Sequence, residues 1–167
     1  MNYLEAYMQR MISYMDFRPE TFIRPDMPVC HITKGYFAYK NLNMCFVNDM
    51  VARMAEALYQ GYLPVVEVPG GEGLPNLWSA FFKQPAEFLG VDIDSVNWEH
   101  IYEVEPVWGP GYKANLIPRE LVCATNLYRG LVHLNDTAAA YIDNEAESIL
   151  GNKQVLGILV RGTDLGR

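Results

Sequence analysis

The segment VCHITKGYFAYKNLNMCFVNDMVARMAEALYQGYLPVVEV, residues 29–68, decides the fold class. Residues 29–32 and 62–68 are short apolar runs that predict strands. Between them, Asn43 is suited to cap a helix over about 44–60. The apolar face of this helix consists of Phe46, Val47, Met50, Val51, Met54, Ala55 and Leu58. The segment therefore predicts a strand–helix–strand unit with two parallel strands.

Helices and strands alternate along the rest of the chain. Helices are predicted over 2–15, 76–82, 118–134 and 137–150, and strands over 98–104 and 155–160. Asp136 is the expected cap of the last helix. This alternation predicts an α/β fold, a three-layer Rossmann-like domain with a mostly parallel sheet.

The first predicted helix has apolar residues three to four positions apart, which is typical of an amphipathic helix. Several of them are methionines, whose flexible side chains fill irregular gaps. We expect the methionine-rich stripe over 8–15 to form part of the core or of an interface. The apolar positions of the helix are Leu4, Met8, Met11, Ile12 and Met15.

Composition limits the classes of function. The chain has 167 residues, 50% hydrophobic and 20% charged, which suits one folded domain and excludes a disordered chain. Its net charge is -7 and no Lys/Arg cluster stands out, so we expect no binding to nucleic acid or to an anionic bilayer. No apolar run approaches the ~18 residues of a membrane span.

The cysteines and the N-terminal residues bear on the compartment. Cys30, Cys45 and Cys123 form no CxxC pair, and their odd number disfavours a secreted disulfide framework. Residues 1–5 lack the basic and apolar regions of a signal peptide. We therefore expect a cytoplasmic protein.

The segment 155–164 carries the strongest indication of a ligand site. An apolar run, 155–160, predicts a strand covered on both faces, and Arg161, Gly162, Thr163 and Asp164 follow it. Ligands bind at the carboxyl edge of open α/β sheets, and an arginine fork suits phosphate or carboxylate. The alternative is a surface Arg–Asp pair at the end of a strand.

Four motifs in order carry a resemblance to a known family. Residues 157–164, GILVRGTD, resemble the G-x-H-x-R-R-x-D motif of the fucosyltransferase superfamily, with Leu159 and Gly162 replacing its His and second Arg. The remaining matches are to its bacterial polysaccharide-type members: GYF at 35–37, GYLPVV at 61–66 and NLWSAFFKQP at 76–85.

This resemblance implies a fold and an activity. Such enzymes have a GT-B-like fold and transfer a sugar from a nucleotide donor, GDP-fucose in known members, to a glycan or protein hydroxyl with inversion and without a metal. Residues 1–152 would be the N-terminal, acceptor-side domain. Residues 153–167 would begin the donor-binding domain, so we expect a partial chain that is inactive alone. The alternative is a non-catalytic domain that binds a glycan or a partner.

The resemblance also assigns roles to residues. Arg161 would contact the donor diphosphate, supported by Thr163 and Asp164, and Asn48 would face the cleft between domains. Trp108, in a Pro/Gly-rich loop, is a candidate for stacking on a sugar, with core packing as the alternative. For Asn48 the alternative is a solvent-facing polar residue. The catalytic base is not identified, and an exposed sheet edge would allow a homodimer.

Other candidate sites are weaker. The loop 70–73, GGEG, lacks the third glycine and the Lys-Ser/Thr of phosphate-binding motifs, and a connector is the better interpretation. The acidic pairs Glu103/Glu105 and Asp92/Asp94 are typical of solvated faces. The three histidines lie far apart in the sequence, so we expect no zinc site.

Overall fold

The computed structural model describes residues 3–24, 26–35, 42–71, 73–87, 90–92, 101–102, 104–106 and 118–151. Within these ranges the chain is a mixed α/β fold built on a parallel sheet. The elements in chain order are α1 (Tyr3–Met15), α2 (Pro19–Phe22), β1 (Val29–Ile32), α3 (Met44–Tyr59), β2 (Leu63–Val66), β3 (Ile101–Tyr102), α4 (Pro118–Leu131) and α5 (Asp136–Leu150).

The sheet has the order β2-β1-β3, and β1 is parallel to both of its neighbours. Val29 pairs with Leu63 and Ile32 with Val66, while His31 pairs with Tyr102 on the other side. Since β1 and β2 are joined through α3, the predicted strand–helix–strand unit is confirmed, with a second strand of four residues. All four residues of β2 are buried, as expected for a strand covered on both faces.

Helix α3 is the centre of the core. The Asn43 side chain accepts a hydrogen bond from the Phe46 N–H at 2.9 Å, so the predicted cap is confirmed. The predicted apolar face is buried, and so are Ala52, Arg53, Glu56 and Ala57, which lie outside it. The helix contacts both β1 and β2 and also α4. It is therefore enclosed from Met50 to Leu58 rather than along one face.

Helix α1 packs on α4 through a different face from the predicted one. Met11 and Tyr14 are buried, but Leu4 and Ile12 are each 66% exposed, and Met8 and Met15 are also exposed. Of the five predicted residues Met11 belongs to the core and the other four do not, so core burial is wrong for those four, and the alternative of an interface stays a prediction. The helix is rotated so that its inward face includes Arg10, which reaches a buried carboxylate on α3.

A buried ion pair joins α1 to α3. Arg10 Nη2 and Nε donate to the two carboxylate oxygens of Glu56 at 2.7 and 3.1 Å, and Gln60 Nε2 donates to Glu56 Oε1 at 2.8 Å. The guanidinium carbon lies 3.7 Å from the centre of the Tyr59 ring. The hydrogen bond to Glu56 raises the pKa of Arg10. Paired and hydrogen-bonded in this way, the two charges are accommodated inside the fold.

Several predicted boundaries need correction. Residues 77–81 form hydrogen-bonded turns instead of a helix. The Asn76 carboxamide does accept from the N–H groups of Trp78 and Ser79, as the cap of a helix would, but no regular helix follows it. The cap of α5 is Asn135 rather than Asp136, since its side chain accepts from the Ala138 N–H at 2.8 Å. Helix α4 ends at Leu131, before the predicted end at 134. Of the predicted strand over 98–104, the structure describes a strand at residues 101–102.

Candidate functional site

The carboxyl ends of the three parallel strands meet at one edge of the sheet. The chain leaving β1 after Ile32 leads into α3, whose first turns therefore lie on the side of this edge. Residues after β2 and β3, 67–71 and 104–106, emerge at the same edge. In open α/β sheets this is the edge where ligands bind, so it is the candidate site of this fold.

Asn48 lies in the second turn of α3, near this edge. Its Oδ1 atom is buried and accepts no hydrogen bond from any residue that the structure describes. A buried polar atom without a partner costs about 1–3 kcal/mol, and such atoms in native proteins call for an explanation. A hydroxyl or N–H of a bound molecule would satisfy it. The structure therefore places the predicted cleft candidate near this edge with a buried, unpartnered oxygen, and its role in binding stays a prediction.

Arg53 fixes α3 against the end of β3. Its Nε donates to Asp49 Oδ1 at 3.0 Å, and its Nη1 donates to the Val104 carbonyl at 3.3 Å. Arg53 is buried, and Asp49, its partner one helical turn earlier, is the residue that follows Asn48. The ion pair therefore holds the Asn48 turn in place. The sequence contains this i, i+4 pair, but its burial was not foreseen.

His31 and Glu67 form a pair across β1 and β2. His31 Nδ1 and Glu67 Oε2 lie 2.6 Å apart. The His31 side chain is mostly buried, whereas the Glu67 side chain is 48% exposed. A carboxylate on one ring nitrogen fixes the orientation of an imidazole and supports its use as a proton acceptor. Sequence reasoning missed the pair, because Glu67 is brought to His31 only by the register of the two strands.

The motif residues 76–85 close the outer edge of β2. Gln84 accepts from the Val66 N–H at 2.9 Å and donates to the Val66 carbonyl at 2.8 Å, in the manner of a neighbouring strand. Asn76 Nδ2 donates to the same carbonyl at 2.6 Å, and Trp78 Nε1 donates to the Lys83 carbonyl at 3.0 Å. These residues therefore stabilise the outer edge of β2 at Val66.

The glycine loop after β2 is a closed turn. The Gly70 N–H donates to the Leu74 carbonyl at 2.9 Å, and the Leu74 N–H donates to the Gly71 carbonyl at 3.0 Å. A Cβ atom at position 70 would lie 2.8 Å from the Leu74 Cβ, so glycine is required there. Two N–H groups of the described part of this loop are therefore used within it, which favours a connector over a phosphate cradle.

Most of the predicted ligand residues lie outside the described residues. This holds for Arg161, Thr163, Asp164 and Trp108, and for the strand predicted over 155–160 with the sheet edge expected there. Their predicted roles, and the homodimer, therefore stay predictions. Asn48 is the predicted site residue that the structure describes.

The weaker candidates gain no support. Glu105 and Asp92 are exposed, and their neighbours Glu103 and Asp94 lie outside the described residues. Within the part of the chain that the structure describes, no group of three or more His, Cys, Asp or Glu side chains is arranged to hold a metal ion. No described helix is both long and apolar enough to cross a membrane.

Comparison of this chain with protein-family models, with curated proteins and with solved structures found no match.

Proposed function

We propose that this chain is the acceptor-side, three-layer Rossmann-like half of a GT-B-like glycosyltransferase of the fucosyltransferase type. The enzyme would transfer a sugar from a GDP-sugar to a glycan hydroxyl with inversion, in polysaccharide biosynthesis. The donor diphosphate would bind Arg161, supported by Thr163 and Asp164, where the arginine offsets charge on the leaving group. The acceptor glycan would lie along the carboxyl edge of the sheet.

The observation that carries this proposal is the unpartnered oxygen of Asn48. It lies buried near the ligand-binding edge of a parallel sheet, on a turn held by the Asp49–Arg53 pair. A carboxamide oxygen is an acceptor for the hydroxyl groups that sugars present. The pattern of motifs also supports the proposal, since GYLPVV and NLWSAFFKQP form one packed unit around β2.

His31 is the proposed proton acceptor in the reaction. Inverting transfer forms a bond between the acceptor oxygen and the anomeric carbon, while the bond to the diphosphate breaks and the hydroxyl loses its proton. His31 has the chemistry to accept that proton, and Glu67 would hold the ring and stabilise the imidazolium.

Calorimetric titration with GDP-fucose, GDP-mannose and GDP tests the proposal. Binding of GDP-fucose should weaken about 10- to 100-fold in Arg161→Ala, because a charged hydrogen bond contributes roughly 1.5–3 kcal/mol. Arg129→Ala removes an exposed arginine from α4 and is the matched control, with unchanged affinity. Equal binding by Arg161→Ala would contradict the donor role of Arg161. Absence of binding by a folded chain would assign this chain to the acceptor side alone, as expected if residues 153–167 only begin the donor-binding domain.

The roles of His31 and Asn48 are tested by steady-state kinetics of sugar transfer, on a form of the protein that includes the donor-binding domain. His31→Gln should lower kcat at neutral pH, and Glu67→Gln should lower it less. Asn48→Ala should raise KM for the acceptor several-fold, with Asn144→Ala on exposed α5 as its control. Unchanged kinetics in His31→Gln would remove the histidine from the mechanism.

A further inference from the structure

Helix α5 carries an exposed apolar stripe. Ala139, Ile142, Ala146 and Ile149 are spaced 3, 4 and 3 residues apart, the a/d pattern of two heptads of a coiled coil. Ile142 is 49% exposed and Ile149 is 68% exposed. Tyr141 and Leu150, beside the stripe, are exposed as well. The helix therefore has the seam of a helix pair, and none of the helices that the structure describes lies on it.

The rest of the described chain leaves this stripe uncovered while fixing where the helix begins. No residue of α5 is buried. Its first residues are anchored: Asn135 Nδ2 donates to the Ser79 carbonyl at 2.9 Å, and Lys83 pairs with Asp136 at 2.7 Å. A helix of this length without packing is marginal in water, so burial of its apolar face would stabilise it. Next to its last turn lies a cavity of about 550 Å³, whose described lining is Ala146, Glu147, Leu150 and Gly151.

The charges of α5 indicate what kind of helix fits. The positions that flank the seam in the heptad hold Asp143 and Glu145, and Glu147 and Asp136 add two more carboxylates. The helix contains no Lys or Arg. Flanking charges select the partner of a coiled coil, and like charges across the seam repel. The acidic flanks of two copies of α5 would therefore repel each other, whereas a helix with Lys or Arg at its flanking positions would be attracted to α5.

We propose that the stripe of Ala139, Ile142, Ala146 and Ile149, flanked by Asp143 and Glu145, docks an apolar-seamed helix with Lys or Arg flanks, supplied by another protein. The alanines at every second seam position let the partner backbone approach, and the isoleucines provide the apolar contact. This surface is independent of the proposed sugar-transfer site, because the residues that form it belong to neither the sheet edge nor α3.

The test uses two synthetic helical peptides of three heptads with leucine at the seam, one with lysine at the flanking positions and one with glutamate there. Each is titrated against the full chain by fluorescence anisotropy, with backbone amide shifts to locate the contact. The lysine peptide should bind and shift residues 138–150, and the glutamate peptide should not. Ile142→Asp with Ile149→Asp should weaken binding roughly tenfold or more.

Two further variants distinguish specific docking at the seam from non-specific association of an apolar helix. Asn144→Asp with Ser148→Asp adds the same two charges away from the seam and should leave binding at least as tight. Asp143→Lys with Glu145→Lys should reverse the preference, so that the glutamate peptide binds better. Circular dichroism confirms that each variant keeps its helix content.

Three outcomes would overturn the proposal. Equal affinity for the two peptides would show that charge does not select the partner. Failure of the lysine peptide to bind the folded chain would show that the stripe is not a docking surface for such a helix. Sedimentation that reveals a dimer lost in the double isoleucine variant would assign the stripe to a second copy.

Discussion

Helices α3 and α5 begin in the same way and end up in opposite environments. Each is capped by an asparagine whose side chain accepts from the N–H three residues later, and they have 16 and 15 residues. From Met50 to Leu58 every residue of α3 is buried, whereas no residue of α5 is. Capping and local sequence thus suffice to start both helices. Because α3 is buried against the sheet and neighbouring helices and α5 is not, α3 should contribute much more to the stability of the fold.

The largest expected difference comes from removing one aromatic ring from each helix. Phe46→Ala should lower the free energy of unfolding by about 3–5 kcal/mol, because Phe46 is fully buried and packs near Trp78, with ring centres 6.2 Å apart. Tyr141→Ala, at an exposed site in α5, should change it by less than about 0.5 kcal/mol. Urea denaturation measures both. Similar losses in the two variants would show that α5 is packed in solution.

The next effect concerns a carboxylate in each helix. Glu56→Ala should destabilise the fold by about 3 kcal/mol, because it leaves the charge of Arg10 without its partner. Glu147→Ala in α5 should have an effect within about 0.5 kcal/mol, since that residue is exposed. The double change Arg10→Met with Glu56→Met should recover most of the loss in thermal unfolding experiments. A Glu56→Ala variant as stable as the parent chain would contradict the role of the ion pair.

Removal of the two asparagine caps should have smaller effects on stability. The effect should be global for α3 and local for α5. Asn43→Ala should cost about 1 kcal/mol of global stability, because Phe46 and Val47 in the first turn of α3 are part of the core. Asn135→Ala should unwind the start of α5, lowering the ellipticity at helical wavelengths with little change in the global midpoint. An equal shift of the unfolding midpoint in Asn135→Ala and Asn43→Ala would contradict the difference in burial between α5 and α3.

The smallest effect at neutral pH is expected for Tyr128→Phe. Burial raises the pKa of Tyr128 from 10.0 to about 12, and its hydroxyl has no hydrogen-bond partner among the described residues. The unfolded chain therefore loses this proton first, so stability should fall as the pH rises from about 10 towards 12. Tyr128→Phe should be nearly neutral at pH 7 and should reduce the alkaline loss. Identical alkaline unfolding curves for the two chains would contradict this assignment.

The parts of the fold that the sequence predicted are those governed by local pattern. The 29–68 unit combines two apolar strands, a capped helix and a complete apolar face, and each of these features was recognisable before the structure. The helix α1 shows the limit of such patterns. Its methionines have helical spacing, but the face that packs inward includes Arg10, which binds Glu56 on α3. Because Glu56 lies 46 residues away in the sequence, the spacing within α1 does not indicate this contact.

The candidate site was predictable only in part for the same reason. Asn48 could be named from the sequence, but its unpartnered oxygen depends on how the chain packs around α3. The His31–Glu67 contact depends on strand register, and the hydrogen bonds of Gln84 depend on where the 76–84 segment meets β2. The spacing of residues within one segment does not indicate which residues of a distant segment they will contact.

Hydrogen–deuterium exchange of the chain with and without GDP-fucose tests the proposed function most directly. Since transfer requires the fucose of the donor to reach the acceptor at the carboxyl edge, the proposed function predicts that GDP-fucose slows exchange at the beginning of α3, around Asn48, and after β2, around Glu67. It also predicts unchanged exchange in α5, which serves as the internal control, and loss of the protection in Arg161→Ala. Exchange unaffected by the nucleotide throughout, or slowed in α5 alone, would contradict a sugar-nucleotide site at the carboxyl edge of the sheet.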